Sequence, residues 1–150
     1  MRRAAAAGIA TAAAALANML PSVGAHAASP SQDYALNCMG CHGTEAQGIP
    51  GKVPPLANAL SRFMRTSEGR NYVLRVPGAA NSALSDEQLA AVLNWLAVTY
   101  DSSAASSQPA PFTSNEVAAL RRRPLLSVLA TRSAVVHNLA TTGPSPPSQY

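Results

Sequence analysis

Residues 38–42 read Cys-Met-Gly-Cys-His, and Cys38 and Cys41 are the only two cysteines in the chain. Thiols three positions apart fall on one face of a helical turn, where both can add to the two vinyl groups of a single haem, while the next residue offers imidazole to the iron. The spacing predicts Cys38 and Cys41 as thioethers to one covalently attached haem c, with His42 as the proximal iron ligand. Two other chemistries use similar residues. A dithiol redox site would follow a strand and open a helix in an alternating strand-helix pattern, which the flanking sequence does not show. A structural zinc site needs four ligands, and downstream of the motif only His137 offers a soft partner.

The elements that must position this motif begin after a leader. Met1-Arg2-Arg3 precedes an apolar stretch of mostly alanine over residues 4–20, and Ala25-His26-Ala27 reads as a small-residue cleavage site. Cleavage after Ala27 is expected, because the stretch is short and weakly hydrophobic for a segment that must span about 30 Å. Export and covalent haem attachment point to the same compartment, the bacterial periplasm. Removing residues 1–27 takes away Arg2 and Arg3 and leaves 9 basic against 7 acidic residues, a net formal charge of +2 in place of +4. That balance, without aromatics interleaved among the basic residues, gives no footprint for nucleic acid. With 5% aromatic residues and 12 prolines the apolar core is limited. A compact unit of about 70 residues sits near the size at which a chain needs a staple, and a buried haem supplies one.

The mature chain divides into a haem-bearing segment over residues 28–101, a linker over 102–112 that opens Ser-Ser-Ala-Ala-Ser-Ser-Gln-Pro-Ala-Pro, and a basic helical extension over 113–150. The closing Gly-Pro-Ser-Pro-Pro tract is expected to be disordered. A first helix is predicted from Pro30, with Ser29 as cap and Gln32 completing a capping box, running into the motif near Cys41. An irregular loop over 43–55 follows, then short helices over 56–64 and 69–76, the latter stopped by Pro77. Ser85 and Gln88 form a second capping box, Leu84 and Leu89 a hydrophobic staple, and Leu89, Val92, Leu93 and Leu96 recur at helical spacing to about Thr99. Nothing reads as a strand ladder, so the fold class is all-α. In the extension, Thr113 caps a helix with Glu116 three residues on and Phe112 and Val117 as staple. Arg121, Arg122, Arg123 and Arg132 make it basic, and Leu125, Val128, Leu129 and Val136 give it an apolar stripe.

Over residues 30–101 the chain resembles the small single-haem class I cytochromes c. The resemblance implies a small helical fold wrapped around the haem, here with a C-terminal extension. In that family an aromatic four residues before the first cysteine packs on an aromatic of the last helix, and Tyr34 and Trp95 stand at the matching positions. A Pro-x-Leu about twelve residues after the histidine supplies a carbonyl that fixes the imidazole, and Pro54, Pro55 and Leu56 match it.

The pattern departs at the sixth iron ligand, which in the family is a methionine before a proline. Here that stretch is Arg75-Val76-Pro77, with valine in place of methionine. Met39 is tethered inside the motif, which leaves Met64 as the candidate distal ligand. The alternatives are that Met64 fills a gap in the pocket wall, or that the distal site is open or holds water. Asn71, Asn81 and His137 are weaker ligand candidates. Arg70 and Arg75 are placed either to pair with a haem propionate or to face solvent.

Together these features predict a one-electron carrier, not an enzyme, taking an electron from a donor dehydrogenase and passing it to an oxidase or another cytochrome. The rival is a haem protein with an exchangeable distal site, acting as a ligand sensor or peroxidase-like enzyme. For the extension, packing on its own core is favoured over docking on a redox partner or lying on a membrane surface. Mass spectrometry of the exported chain should find an N-terminus at Ala28 and the added mass of one haem; a mature chain without that mass would refute the reading of residues 38–42.

Overall fold

Local capping chemistry explains most of the helices in the computed structural model, which describes residues 28–101 and 108–142. The leader and its cleavage site, residues 102–107 of the linker and the tail from 143 lie outside the described residues. Among the described residues the helices follow in this order: α1 Pro30–Asn37, α2 Met39–His42, α3 Leu60–Phe63, α4 Ser67–Arg75, α5 Pro77–Ala80, α6 Asp86–Thr99, α7 Ser114–Leu120 and α8 Val128–Thr142. The same residues contain no strand, only an isolated bridge between Ile49 and Val53.

Both expected capping boxes form. Ser29 Oγ accepts from the Gln32 N–H at 3.3 Å and Gln32 Oε1 accepts from the Ser29 N–H at 2.8 Å. The Ser85–Gln88 pair repeats this at 3.1 and 3.0 Å. Gln88 has a second task. Its Nε2 donates to the buried Asp33 carboxylate at 3.2 Å, so one amide caps α6 and satisfies a charged group on α1. Thr113 caps α7 through the Glu116 N–H at 3.2 Å, but the Glu116 side chain turns away to Arg70.

Three boundaries differ from expectation, each for a local reason. Helix α1 stops at Asn37 because Cys38 adopts φ −129°, ψ −37°, and α2 restarts as a separate turn. The helix expected over 56–64 is confined to α3, since Asn58 has φ 56°, a left-handed conformation that a continuing helix cannot contain. Helix α4 begins at Ser67, ahead of the expected 69, because Thr66 Oγ1 accepts from the Gly69 N–H at 3.1 Å. A side chain at Gly69 would run into the Phe63 carbonyl, so the α3–α4 turn needs glycine for close approach. Pro77 ends α4 as expected and also opens α5 as its first residue.

The core is continuous across the two described stretches. Helix α6 buries Leu89, Val92, Leu93 and Leu96, and the extension adds Phe112, Val117, Val135 and Leu139 to the same cluster. Asn94 holds Phe112 through both backbone groups: its Nδ2 donates to the Phe112 carbonyl at 3.0 Å and its Oδ1 accepts the Phe112 N–H at 2.7 Å. The expected packing of the extension on its own core is what the structure shows. Its apolar face is shifted, however: Val135 and Leu139 are buried, whereas Leu129 is 63% exposed.

Three arginines lash the extension down. Arg70 lies over the Phe112 ring at 4.3 Å, donates through Nε to Glu116 at 2.7 Å, and reaches the Ala110 and Pro111 carbonyls. Arg75 donates to the Arg123 and Pro124 carbonyls, both at 2.7 Å, and to Asn71 Oδ1 at 2.6 Å. Arg121 donates to the Leu84 carbonyl at 2.8 Å and pairs with Asp86 at 2.9 Å. Arg70 and Arg75 are half-buried and lie outside the cavity that the motif lines; both spend their donors on fastening the extension. Phe112→Ala should lower the stability of the full-length haem protein by about 3–5 kcal/mol, measured by denaturant unfolding, whereas an extension hung freely on its linker would leave stability unchanged.

Candidate functional site

The residues of the motif sit at the mouth of a cavity of about 330 Å³. That is more than twice the ~150 Å³ of an apolar cavity that stays dry and binds benzene, so it is a space shaped for a large apolar guest. Cys38, Cys41 and His42 line it on one side, and Pro54, Pro55 and Leu56 continue that wall. Leu89, Val92, Leu93 and Leu96 of α6 form its back; Phe63, Tyr72, Val73 and Val76 of α3, α4 and the turn into α5 form another side. Val128 and Arg132 of α8 line it as well. The two thiols are not joined: Cys38 is half-buried and Cys41 exposed.

His42 is held by one bond. Its Nδ1 lies 3.1 Å from the Pro54 carbonyl oxygen, which can only accept, so Nδ1 carries the proton and Nε2 keeps its lone pair. Burial lowers the His42 pKa and so favours the neutral, ligating form, against the smaller, opposing effect of the Pro54 bond. The loop that brings Pro54 into range is itself pinned: the Gly48 N–H donates to the His42 carbonyl at 2.8 Å and the Leu56 N–H to the Ala46 carbonyl at 2.8 Å. Gly48 has φ 70°, and a Cβ there would strike the backbone of residues 53–55, so only glycine lets the loop fold back this closely.

Behind the motif stands an aromatic brace. The Tyr34 and Trp95 rings lie 5.7 Å apart across α1 and α6, and Trp95 meets Tyr100 edge-on at 5.7 Å. The Tyr34 hydroxyl donates to the Gly43 carbonyl at 2.5 Å and the Tyr100 hydroxyl to that of Thr44 at 3.0 Å, so two phenols grip the chain where it leaves His42. Tyr34 and Trp95 thus support the site from outside the cavity, while Pro54 and Leu56 line it.

Met64 is not brought to the cavity. Phe63 points into it, and the neighbouring residue on a helical turn faces about 100° away. Met64 is accordingly buried against a separate cavity of about 100 Å³ bounded by Asn94, Ala97 and Val98. Val76, in the place where the family's methionine is expected, does line the main cavity. His137 is exposed on α8, and neither Asn71 nor Asn81 reaches the wall. One wall residue escapes a reading of the sequence: Arg132, 7% exposed, with its guanidinium 5.5 Å from the Phe63 ring centre. The signal lies in spacing, since 128, 132, 135 and 139 share one helical face and three of the four are aliphatic.

The alternative chemistries lose ground. Burial, and after it the Asp33 carboxylate, pushes the Cys38 thiol pKa up, the reverse of an activated redox thiolate. Among the described residues no three His, Cys, Asp or Glu side chains converge as a metal cluster, so a zinc ion would lack its protein ligands. An apolar cavity with two thiols and one oriented imidazole on its rim fits a covalently held haem.

A small all-helical fold around such a site defines a c-type cytochrome. The sequence profile of the Cytochrome c family matches residues 30–99. Cytochrome c-552 of Thermus thermophilus is 35% identical over 115 residues, covering 63% of this chain and 88% of that protein. A second cytochrome c-552, from a particular strain of the same organism, gives 35% identity over 115 residues and is covered over 78% of its own chain. The chain belongs to the class I c-type cytochromes, and its cofactor is covalently bound haem c.

Tyr34 supplies a test of the brace. Burial, the largest cause, pushes its phenol up from 10.0; the smaller contribution from a Cys38 thiolate disappears once Cys38 is a thioether. A group whose pKa is raised in the folded state stabilises the fold below its unfolded value and loses that contribution as pH rises through the folded one. Thermal unfolding of the haem protein should therefore show stability falling as pH rises above 10.0. Tyr34→Phe should be less stable at neutral pH and lose this alkaline component; an identical alkaline slope in the variant would refute the assignment.

Proposed function

We propose that this haem-based electron carrier works in the periplasm, taking single electrons from a donor dehydrogenase and delivering them to an oxidase or another cytochrome. The observation that carries this reading is the convergence of Cys38, Cys41 and the Pro54-oriented His42 on one apolar cavity. When bound, the haem supplies an iron that changes between ferric and ferrous states. Cys38 and Cys41 hold it by thioethers to its vinyl groups, and His42 binds the iron through Nε2. Pro54 fixes the imidazole plane, and the bond from Nδ1 raises the basicity of the ligating nitrogen. Leu56, Val92, Leu93 and Leu96 exclude water from the ring, which limits reorganisation when charge moves.

Export is supported by the leader pattern ending at Ala27, by thioether chemistry that follows export in this family, and by relatives that are themselves c-type cytochromes. Among the described residues no helix is long and apolar enough to cross a membrane. Met64 is not assigned as an iron ligand, since its side chain belongs to the other cavity.

The haem protein should be recovered from the periplasmic fraction and should titrate reversibly with a slope of about 59 mV per tenfold change in the oxidised-to-reduced ratio, the value for one electron. The Cys38→Ser, Cys41→Ser double variant should yield a chain without covalent haem. Recovery in the cytoplasm, or a redox process other than one-electron, would overturn the proposal.

A further inference from the structure

The iron of a haem bound by His42 has a second face, and the cavity walls determine what can reach it. Among the described residues no methionine lines the cavity, and its lysine, Lys52, stands exposed beside Val53 and Pro54, on the wall that belongs to His42. The remaining walls are aliphatic and aromatic apart from Asn37, Ser82, Tyr72, whose ring stacks on Phe63 at 5.6 Å, and Arg132, the one charged side chain there. Arg132 brings a cationic guanidinium to a space of low effective dielectric, where attraction to an anion is stronger than in water. The Phe63 ring beneath it restricts its plane, and five N–H donors allow it to keep a protein partner while donating to a second acceptor. Its position is set by the burial of Val135 and Leu139, one and two turns further along α8.

We propose that the haem iron accepts a small exogenous anion, of the azide, cyanide or nitrite kind, on the face remote from His42, and that Arg132 selects for its negative charge. This rests on the haem reading above and adds a ligand-binding function to it. Charge-assisted hydrogen bonding from the guanidinium stabilises an anion at this position and does nothing comparable for a neutral ligand. The C-terminal extension then contributes a functional group to the site as well as part of its wall.

The test uses the full-length, haem-loaded protein, with haem content first fixed by mass. Ferric protein is titrated with azide and with imidazole, and ferrous protein with carbon monoxide, following the Soret band. The wild type should bind all three. Arg132→Gln should weaken azide binding by about tenfold or more while leaving imidazole and carbon monoxide binding unchanged. Arg132→Lys, which keeps the charge and disturbs the packing of α8 least, should retain most of the preference for azide over imidazole. Failure of the wild type to bind azide or carbon monoxide would show a protein ligand on the second face and overturn the proposal. Equal loss of azide and imidazole binding in Arg132→Gln, or loss of the azide preference in Arg132→Lys, would overturn the role of charge. A mature protein without covalent haem would instead overturn the reading of the motif, and this inference with it.

Discussion

A hollow of about 330 Å³ inside so short a chain is the constraint on which the other features depend. Protein interiors pack to crystal-like density, and an empty apolar space forfeits the dispersion contacts that its lining would otherwise make. The walls therefore depend on a guest, and the protein is built so that the guest's position is over-determined. Two thiols fix it at an edge, and one imidazole orients it. That imidazole is in turn set by a single bond of 3.1 Å to the Pro54 carbonyl. The Gly48 turn, the Ala46–Leu56 bond and the Tyr34 and Tyr100 hydroxyls all act on the same stretch of backbone, so the precision of one ring nitrogen is distributed over many ordinary contacts.

Much of this is legible from residue types, because capping boxes, staples and the Cys-Met-Gly-Cys-His run encode local geometry in a few neighbouring positions. Ser29 with Gln32, and Ser85 with Gln88, mark helix starts that the structure keeps. The Tyr34–Trp95 pair and Pro54 stand out through family resemblance, and both take the places that resemblance implies. What stays hidden depends on backbone states or on distant packing. A left-handed Asn58 carries no compulsory sequence mark, so a helix start at 56 lies too early for α3. The direction of Met64 follows from Phe63 taking the cavity, a competition that spacing alone does not decide. Arg132 reads as one more surface charge because its burial is set by where α8 docks.

The arginines divide by the partners they found. Arg75 and Arg121 spend most of their bonds, and Arg70 two of its five, on backbone carbonyls of segments far away in sequence, including 110–111, 123–124 and 82–84. Such bonds satisfy irregular backbone that has no helix of its own to bond to, which is how two short helices and a proline-bearing turn can be held against a small core. Sequence reading weighs charges mainly by sign and count. The structure uses these three as multi-pronged clamps, and charge balance says little about them.

Part of the cavity wall comes from the far end of the polypeptide. Val128 and Arg132 follow the cysteines by some ninety residues, so synthesis, which runs from the N-terminus, completes Cys38 and Cys41 well before α8. The helix that brings Arg132 to the cavity is thus the last part of the site to be made.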